Sequence, residues 1–381
     1  MKNLAIFYGG KSAEHDISII TAISVIKNLD KKKYKIFPVY ITKNQDWCLV
    51  EDATNLYKYA TDNLKGKRML CGFFEKCLVK KTKFGFKKIE KIDVCINCMH
   101  GLNGEDGTLS GLLEMADLAY VGSGVLASSI GMDKVVQKDL FIKNQIPCAK
   151  YVCTNELKLK ETYEQEIEKI EKEINYPIIV KPANLGSSIG INISKNREEL
   201  QKNIEIALNF DKKLILEEVI DNLREINCSV IGNYKSVEIS VLEEPKNWET
   251  FLDFNEKYLT ENIDGNKKQV DISLGEKLDK QIKNYSEKVF KLLGASGVVR
   301  IDFLLNDKTK KVYVNEINTI PGSYANYLWK HKYTFGALLD KLIEYAEEEY
   351  IYKNKNKYTF TSEVLNTYSK LQNSNKIKFE K

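Results

Sequence analysis

Four residues in the stretch 298–318, "VVRIDFLLNDKTKKVYVNEIN", have types and spacing that suit metal-assisted phosphoryl chemistry: Arg300, Asp302, Glu316 and Asn318. Two runs of strand formers flank a polar turn, the pattern of a β-hairpin. Side chains alternate along a strand, so Arg300 and Asp302 share a face, as do Glu316 and Asn318. A turn centred near position 309 sets Asp302 opposite Glu316 and Arg300 opposite Asn318. Two carboxylates and an amide oxygen are hard ligands, suited to Mg²⁺ that keeps some waters and grips phosphate. An arginine beside them can stabilise charge on a phosphoryl group in transfer. The competing reading is a surface ladder of cross-strand charge pairs, and the apolar character of both strands weighs against it.

A second stretch, "KPANLGSSIG" at 181–190, offers a phosphate cradle. Gly186 and Gly190 let the backbone approach an anion, and successive N–H groups with Ser187 and Ser188 can surround it. Lys181 adds a point charge from the preceding strand. The alternating "INIS" that follows predicts strand–loop–strand, a flap, and a plain glycine hairpin is the alternative. A P-loop would lead into a helix and carry GxxxxGK[ST], which is absent here. The run "AIFYGGKS" at 5–12 imitates the end of that motif, but Ala5 stands where its first glycine belongs.

These stretches need a scaffold, and the rest of the chain describes one. Residues 3–8 predict a buried strand, followed by a glycine turn into a helix. Residues 35–41 and "KIDVCINCMHG" read as further strands, and "EDGTLSGLLEMADL" as a helix start, so an alternating parallel αβ layer is expected first. "VGSG" at 121–124 is a natural joint before helical 125–145. Residues 156–174 predict one helix with a solvated charged face, 213–243 and 295–319 are strand-rich, and 335–350 predict an amphipathic helix. Residues 353–381, rich in Lys and Asn, read as a partly ordered tail. A chain of 381 residues implies two or three domains. Its +5 charge is dispersed, which argues against nucleic acid as a partner. The eight irregularly spaced cysteines read as free thiols, and the N-terminal apolar run is too short for a signal sequence or a membrane span. A cytoplasmic location with no membrane partner is expected. Cys95 and Cys98 would point to opposite faces of a strand, and His15 and His331 read as surface residues.

The motifs "GGKSAEHDIS", "MHGLNGEDGTLSG", "VGSG", "MDK", "IIVKPANLGSSIGI", "LEEVI", "REI", "FNEKY", "RIDF" and "NEINTIPG" run in one order over about residues 1–350. In that order they resemble the D-alanine–D-alanine ligase family of the ATP-grasp superfamily. The resemblance implies an α/β fold of three domains: a Rossmann-like N-terminal substrate domain (1–122), a central ATP-grasp lid with the flap (123–216) and a C-terminal ATP-grasp domain with the metal site (217–352). The tail, 353–381, has no assigned role. The implied reaction phosphorylates the carboxylate of one D-amino acid with ATP. The amine of a second then attacks the acyl phosphate, as peptidoglycan precursor synthesis requires.

The resemblance also implies roles for individual residues. Asp302, Glu316 and Asn318 would hold two Mg²⁺ ions, for which Mn²⁺ can substitute, and Arg300 would face the phosphoryl group. Lys134, Lys181, Lys257 and Ser188 would bind phosphates, while Glu217, the Ile220 backbone and Glu225 would bind adenosine. Glu14 would meet the ammonium group of the first amino acid, with Ser187 and Tyr258 as its hydrogen-bond partners and Glu105 in support. Taken alone, Glu14 reads first as an acidic residue favouring a helix N-terminus. His100 would lie near the first substrate's carboxylate, or else be a structural loop histidine. Gly322 would offer its N–H to the intermediate. A homodimer acting on small molecules is expected.

The pattern breaks after "NTIPG". Typical members carry a serine five residues beyond the glycine, where it binds the second substrate's carboxylate; here that position is Tyr327, with Ser323 and Tyr324 nearby. A phenol donates one hydrogen bond but occupies far more volume. This opens an alternative in which D-serine, D-lactate or another amino acid is the acceptor. The cluster of Tyr324, Tyr327 and Trp329 reads equally as packing or as a substrate wall. A nucleotide-binding regulator without turnover is a third reading, opposed by the complete set of Arg300, Asp302, Glu316 and Asn318.

Overall fold

The computed structural model of the protein describes residues 1–60, 68–245, 268–357, 359 and 361–373. Lys257 and Tyr258 therefore lie outside the described residues. Three sheets carry the chain. The first contains β1 (Lys2–Gly9), β2 (Tyr34–Ile41), β3 (Trp47–Val50), β4 (Arg68–Phe74), β5 (Cys77–Thr82), β6 (Gly85–Lys91), β7 (Val94–Asn97) and β8 (Ala119–Val121), in the order β6-β5-β4-β3-β2-β1-β7-β8. Residues 4–8 of β1 are wholly buried, as a strand covered on both faces must be. The expected parallel layer is β2-β1-β7-β8. The antiparallel meander β3–β6 beside it was not expected, because its strands are short and alternate only weakly. Cys95 and Cys98 join different cores on the two sides of this sheet.

The second sheet is wholly antiparallel. Its strands are β9 (Tyr151–Asn155), β10 (Ile178–Pro182), β11 (Asn192–Ser194) and β12 (Lys213–Glu218), in the order β11-β10-β12-β9. The single helix expected over 156–174 is two, Glu156–Glu161 and Tyr163–Glu173. They part at Thr162, whose hydroxyl turns back to the Lys158 carbonyl instead of continuing the helix.

The third sheet holds β13 (Leu223–Gly232), β14 (Val237–Pro245), β15 (Lys268–Ile272), β16 (Gly297–Asn306) and β17 (Lys311–Asn318), in the order β15-β14-β13-β16-β17. Its core includes Ala127 and Phe141 from the helices Val125–Met132 and Lys134–Lys143, while Val135 of the second helix packs on Ala183 and Ile215 of the second sheet, so that this helix lies between the two. The helix Phe335–Lys353 returns to the first sheet. There Leu338, Leu339, Leu342 and Ile343 meet Leu4, Ile6, Val94 and Ile96, so the 3.6-residue apolar stripe is satisfied by the start of the chain. A further helix, Val364–Asn373, follows in the tail.

Candidate active site

The β16–β17 hairpin sets Asp302 opposite Glu316 and Arg300 opposite Asn318, as the sequence predicts. It does so through an irregularity. Near the turn Asn306 pairs with Lys311 and Phe303 with Val314, but Asp302 then pairs with Glu316, leaving Asn315 as an extra residue. Val312 and Val314 face the core, and strict alternation would send Glu316 there as well. The bulge switches the phase, so Ile317 takes the core position and Glu316 and Asn318 face the cleft.

On this face the Arg300 guanidinium grips Asp302 with both forks, at 2.7 and 2.8 Å, and the Asn318 amide donates to the same carboxylate at 3.0 Å. Burial would lower the Arg300 pKa, but Asp302 outweighs it and holds the guanidinium firmly charged. Glu316 points to Lys134, 3.1 Å away. Lys134 opens the helix Lys134–Lys143, which is capped by the Asp133 side chain on Val135 and Val136 N–H groups. Its ammonium also donates to the Leu185 carbonyl at 2.8 Å, which ties the flap to this helix.

Lys181 leaves β10 toward the same cleft and donates to Glu217 at 2.9 Å. Burial alone would push this ammonium down. Glu217, then Glu316 and Glu225, reverse the effect and hold it above the ordinary lysine range. Carboxylates from β12, β13 and β17 thus surround one lysine. Glu217 is itself almost wholly buried; burial pushes its carboxyl up, while Lys138 and Lys181 hold it below the usual range. Sequence reasoning missed Lys138, 3.4 Å from Glu217, although its place one turn beyond Lys134 was the available signal. Ile220 packs with Ala149 and Leu304, an apolar corner beside Glu225.

The flap joins β10 to β11. Ser187 and Ser188 take left-handed backbone conformations at φ 53° and 58°, which turns successive N–H groups. The Ser187 hydroxyl donates to Glu14 Oε1, linking flap and first sheet. Glu14 is 6% exposed, and glycines frame it. A Cβ on Gly101 would lie 2.8 Å from Glu14 Oε2, and one on Gly186 would lie 3.1 Å from it. Gly101 also has φ +68°, so the position suits glycine on both counts.

His100, just beyond β7, is buried. Its Nε2 lies 2.9 Å from the Thr21 hydroxyl and its Nδ1 is 3.9 Å from Glu105. Burial would lower its pKa, but Glu105, then Glu14 and the Ile320 carbonyl, raise it above the ordinary value. Glu105 also accepts the Gly101 N–H at 2.9 Å. Gly322 faces open space. The Ser323 N–H points to Thr21, 3.4 Å away. Tyr327 donates to buried Glu243 at 2.7 Å, so its hydroxyl proton already serves a carboxylate of the protein. Tyr324 and Trp329 are packing residues, bonded to the Asn97 carbonyl and to Ser229. His331 is exposed. His15 is not the expected surface residue: it is 3% exposed and bridges the Gly10 carbonyl and the Tyr40 hydroxyl.

A serine-bearing flap on a four-stranded antiparallel sheet, set against carboxylates of a five-stranded one, defines the ATP-grasp class of ATP-dependent ligases. Two family profiles match the chain, D-ala D-ala ligase N-terminus over residues 3–123 and D-ala D-ala ligase C-terminus over 140–367. The D-alanine–D-alanine ligase of Thermosipho melanesiensis is 39% identical over 354 residues, 92% of this chain and 95% of that one. Among solved structures, the D-alanine–D-alanine ligase of Coxiella burnetii aligns with TM-score 0.77 at 27% identity, covering 93% of this chain and 96% of that one. A D-Ala:D-Ser ligase from Enterococcus faecalis aligns with TM-score 0.78 at 28% identity, covering 91% and 99%. The chain belongs to the D-alanine–D-alanine ligase family. Its curated relatives favour D-alanine over the alternative acceptors. No described helix is long and apolar enough to cross a membrane.

Proposed function

We propose that the chain joins two D-alanines in the cytoplasm for peptidoglycan precursor synthesis, with the residues above in the following roles. Lys134, Lys181 and the flap amides with Ser188 bind the ATP phosphates. Glu217 and the Ile220 backbone take the adenine, and Glu225 the ribose. Glu14 binds the ammonium group of the first D-alanine, and the Ser187 hydroxyl closes the flap on it. His100, supported by Glu105, faces that substrate's carboxylate. The γ-phosphoryl passes to the carboxylate, the amine of the second D-alanine attacks the acyl carbon, and phosphate leaves. Arg300 and the Gly322 N–H stabilise the negative charge that builds on the acyl oxygen. Ser323 and Tyr327 border the acceptor side. Closure excludes water, which would otherwise hydrolyse the acyl phosphate.

Asp302, Glu316 and Asn318 offer the hard oxygen donors that Mg²⁺ prefers, from adjacent strands of one face. Two such ions would neutralise phosphate charge when bound. Lys257 and Tyr258 keep their expected roles in phosphate binding and flap closure. The eight cysteines are all free thiols, which supports a reducing compartment. The homodimer is part of the same reading, and sedimentation velocity reads it.

The observation that carries the proposal is convergence: Ser187 to Glu14 and Lys134 to Glu316 join all three sheets at one cleft. The test incubates the protein with ATP, Mg²⁺, D-alanine and a panel of D-serine, D-lactate and L-amino acids, with products read by mass spectrometry. D-alanyl-D-alanine should dominate; a mixed product made in preference to it overturns the acceptor assignment.

A further inference from the structure

The helix His15–Asn28 and the Glu14 that precedes it present three polar side chains along one face, at positions 14, 18 and 21. Glu14 meets the flap, and Ser18 accepts the Gly9 N–H at 2.7 Å. The third, Thr21, is 1% exposed and has no role in the reading above. A buried hydroxyl costs stability unless it is bonded, and its bonds show what it holds. Its oxygen lies 2.9 Å from His100 Nε2 and 3.4 Å from the Ser323 N–H. One atom on the first sheet's helix therefore touches both the histidine of the donor pocket and the turn that follows β17.

That turn needs holding. Ser323, Tyr324 and Ala325 sit at φ 46°, 56° and 47°, left-handed conformations that cost non-glycine residues of order 1–3 kcal/mol each. Two contacts pin it to the first sheet: Tyr324 to the Asn97 carbonyl at 2.6 Å and Ser323 to Thr21. They bracket His100 in the fold. We infer that Thr21 is a positioning residue of the ligase reaction, whose hydroxyl fixes the His100 ring and sets the Gly322–Ser323 turn against the donor pocket.

The inference rests on the D-alanine ligase reading. In the charged imidazole both nitrogens donate: Nε2 to Thr21, while Nδ1 lies 3.9 Å from Glu105 and the Ile320 carbonyl also favours the charged ring. Glu105 on its own loop and Glu14 before the helix are the titratable groups facing the ring. Removing the Thr21 oxygen leaves a buried N–H without an acceptor, which disfavours the charged ring.

Thr21→Val keeps the volume and removes the hydroxyl; Thr21→Ser keeps the hydroxyl. The chain has three histidines, so the ring of His100 can be followed by NMR titration in the whole protein. Thr21→Val should raise the KM for the first D-alanine about tenfold or more, from the loss of a hydrogen bond to a charged group. It should leave the KM for ATP unchanged and lower the His100 titration midpoint. Thr21→Ser should restore both readouts. A wild-type protein without D-alanine-dependent phosphate release would defeat the parent reading instead. With an active wild type, an unmoved His100 midpoint in Thr21→Val overturns the role, as does a Thr21→Ser variant as impaired as Thr21→Val.

Discussion

Glu316 meets two demands at once: it is the ion-pair partner of Lys134, 3.1 Å away, and the hard-oxygen donor opposite Asp302. Glu316→Gln keeps its volume and removes its charge. D-alanine-dependent phosphate release should fall about a thousandfold or more, the scale of losing metal-assisted charge stabilisation, while the circular dichroism spectrum stays that of the wild type. Near-normal turnover would refute the metal assignment. Glu217 answers to stability more than to chemistry. With Lys138 and Lys181 as its buried partners, Glu217→Gln takes the shared carboxylate from two buried ammonium groups, of which only Lys181 keeps others nearby, and should cost about 3–5 kcal/mol in urea unfolding. Its carboxyl titrates below the ordinary value of 4.5, so it stabilises the fold fully above that pH and loses the contribution as pH falls through the lowered value. The acid limb of stability against pH should therefore be shallower in the variant; an unchanged slope would show that other carboxylates set it.

The flap and the hairpin show what a single sequence can and cannot reveal about elements. The strand–loop–strand flap was legible because glycine and serine chemistry sits between two apolar runs. The pairing of Asp302 with Glu316 was also legible, though a plain hairpin assumption reached it by a route the chain does not follow. The turn lies half a residue earlier than assumed, and the bulge at Asn315 compensates for it. No residue type announces such a bulge. The burial of His15 was equally hidden, because its partners, the Gly10 carbonyl and Tyr40, meet it only through tertiary packing. Thr21 and Lys138 escaped for a related reason: their positions look like ordinary helix residues until the elements opposite are known. At this scale the flap gives the clearest prediction. Ser187 is the flap's hydroxyl link to Glu14, so Ser187→Ala should lower kcat about tenfold, as expected for one lost charge-assisted hydrogen bond. Any loss of stability in urea unfolding should stay within about 1–3 kcal/mol, the scale of one half-buried hydrogen bond to a charged group. Stopped-flow phosphate release checks this, and wild-type kcat and KM would remove Ser187 from closure.

Across the described residues, a large core on each of the three sheets flanks a cleft lined with opposed charge. The first packs β1 and β7 under the returning helix Phe335–Lys353, the second lies under β10 and β12, and the third under β13 and β16. The second sheet meets its neighbours through small apolar patches, Val135 on Ala183 and Ile215 and Ile220 on Leu304, and through polar links at the cleft, Lys134–Glu316 and Ser187–Glu14 among them. Both links are single, partly buried contacts, to which a ligand bridging the sheets would add. A nucleotide bound between Lys181 and the β16–β17 carboxylates would contact two of the sheets together, and its binding energy would add to their common stability. At a hundredfold excess over Kd that addition is about 2.7 kcal/mol, visible as a rise in Tm with a non-hydrolysable ATP analogue and Mg²⁺. The rise should be shared by probes in the second and third sheets, so that both melt in one transition. In Glu316→Gln the Mg²⁺-dependent part of the shift should vanish while the part due to the analogue alone persists through Lys181 and Glu217. A Mg²⁺-dependent shift of wild-type size in that variant would place the ion away from β17, and separate transitions with ligand bound would show that the sheets do not share the nucleotide.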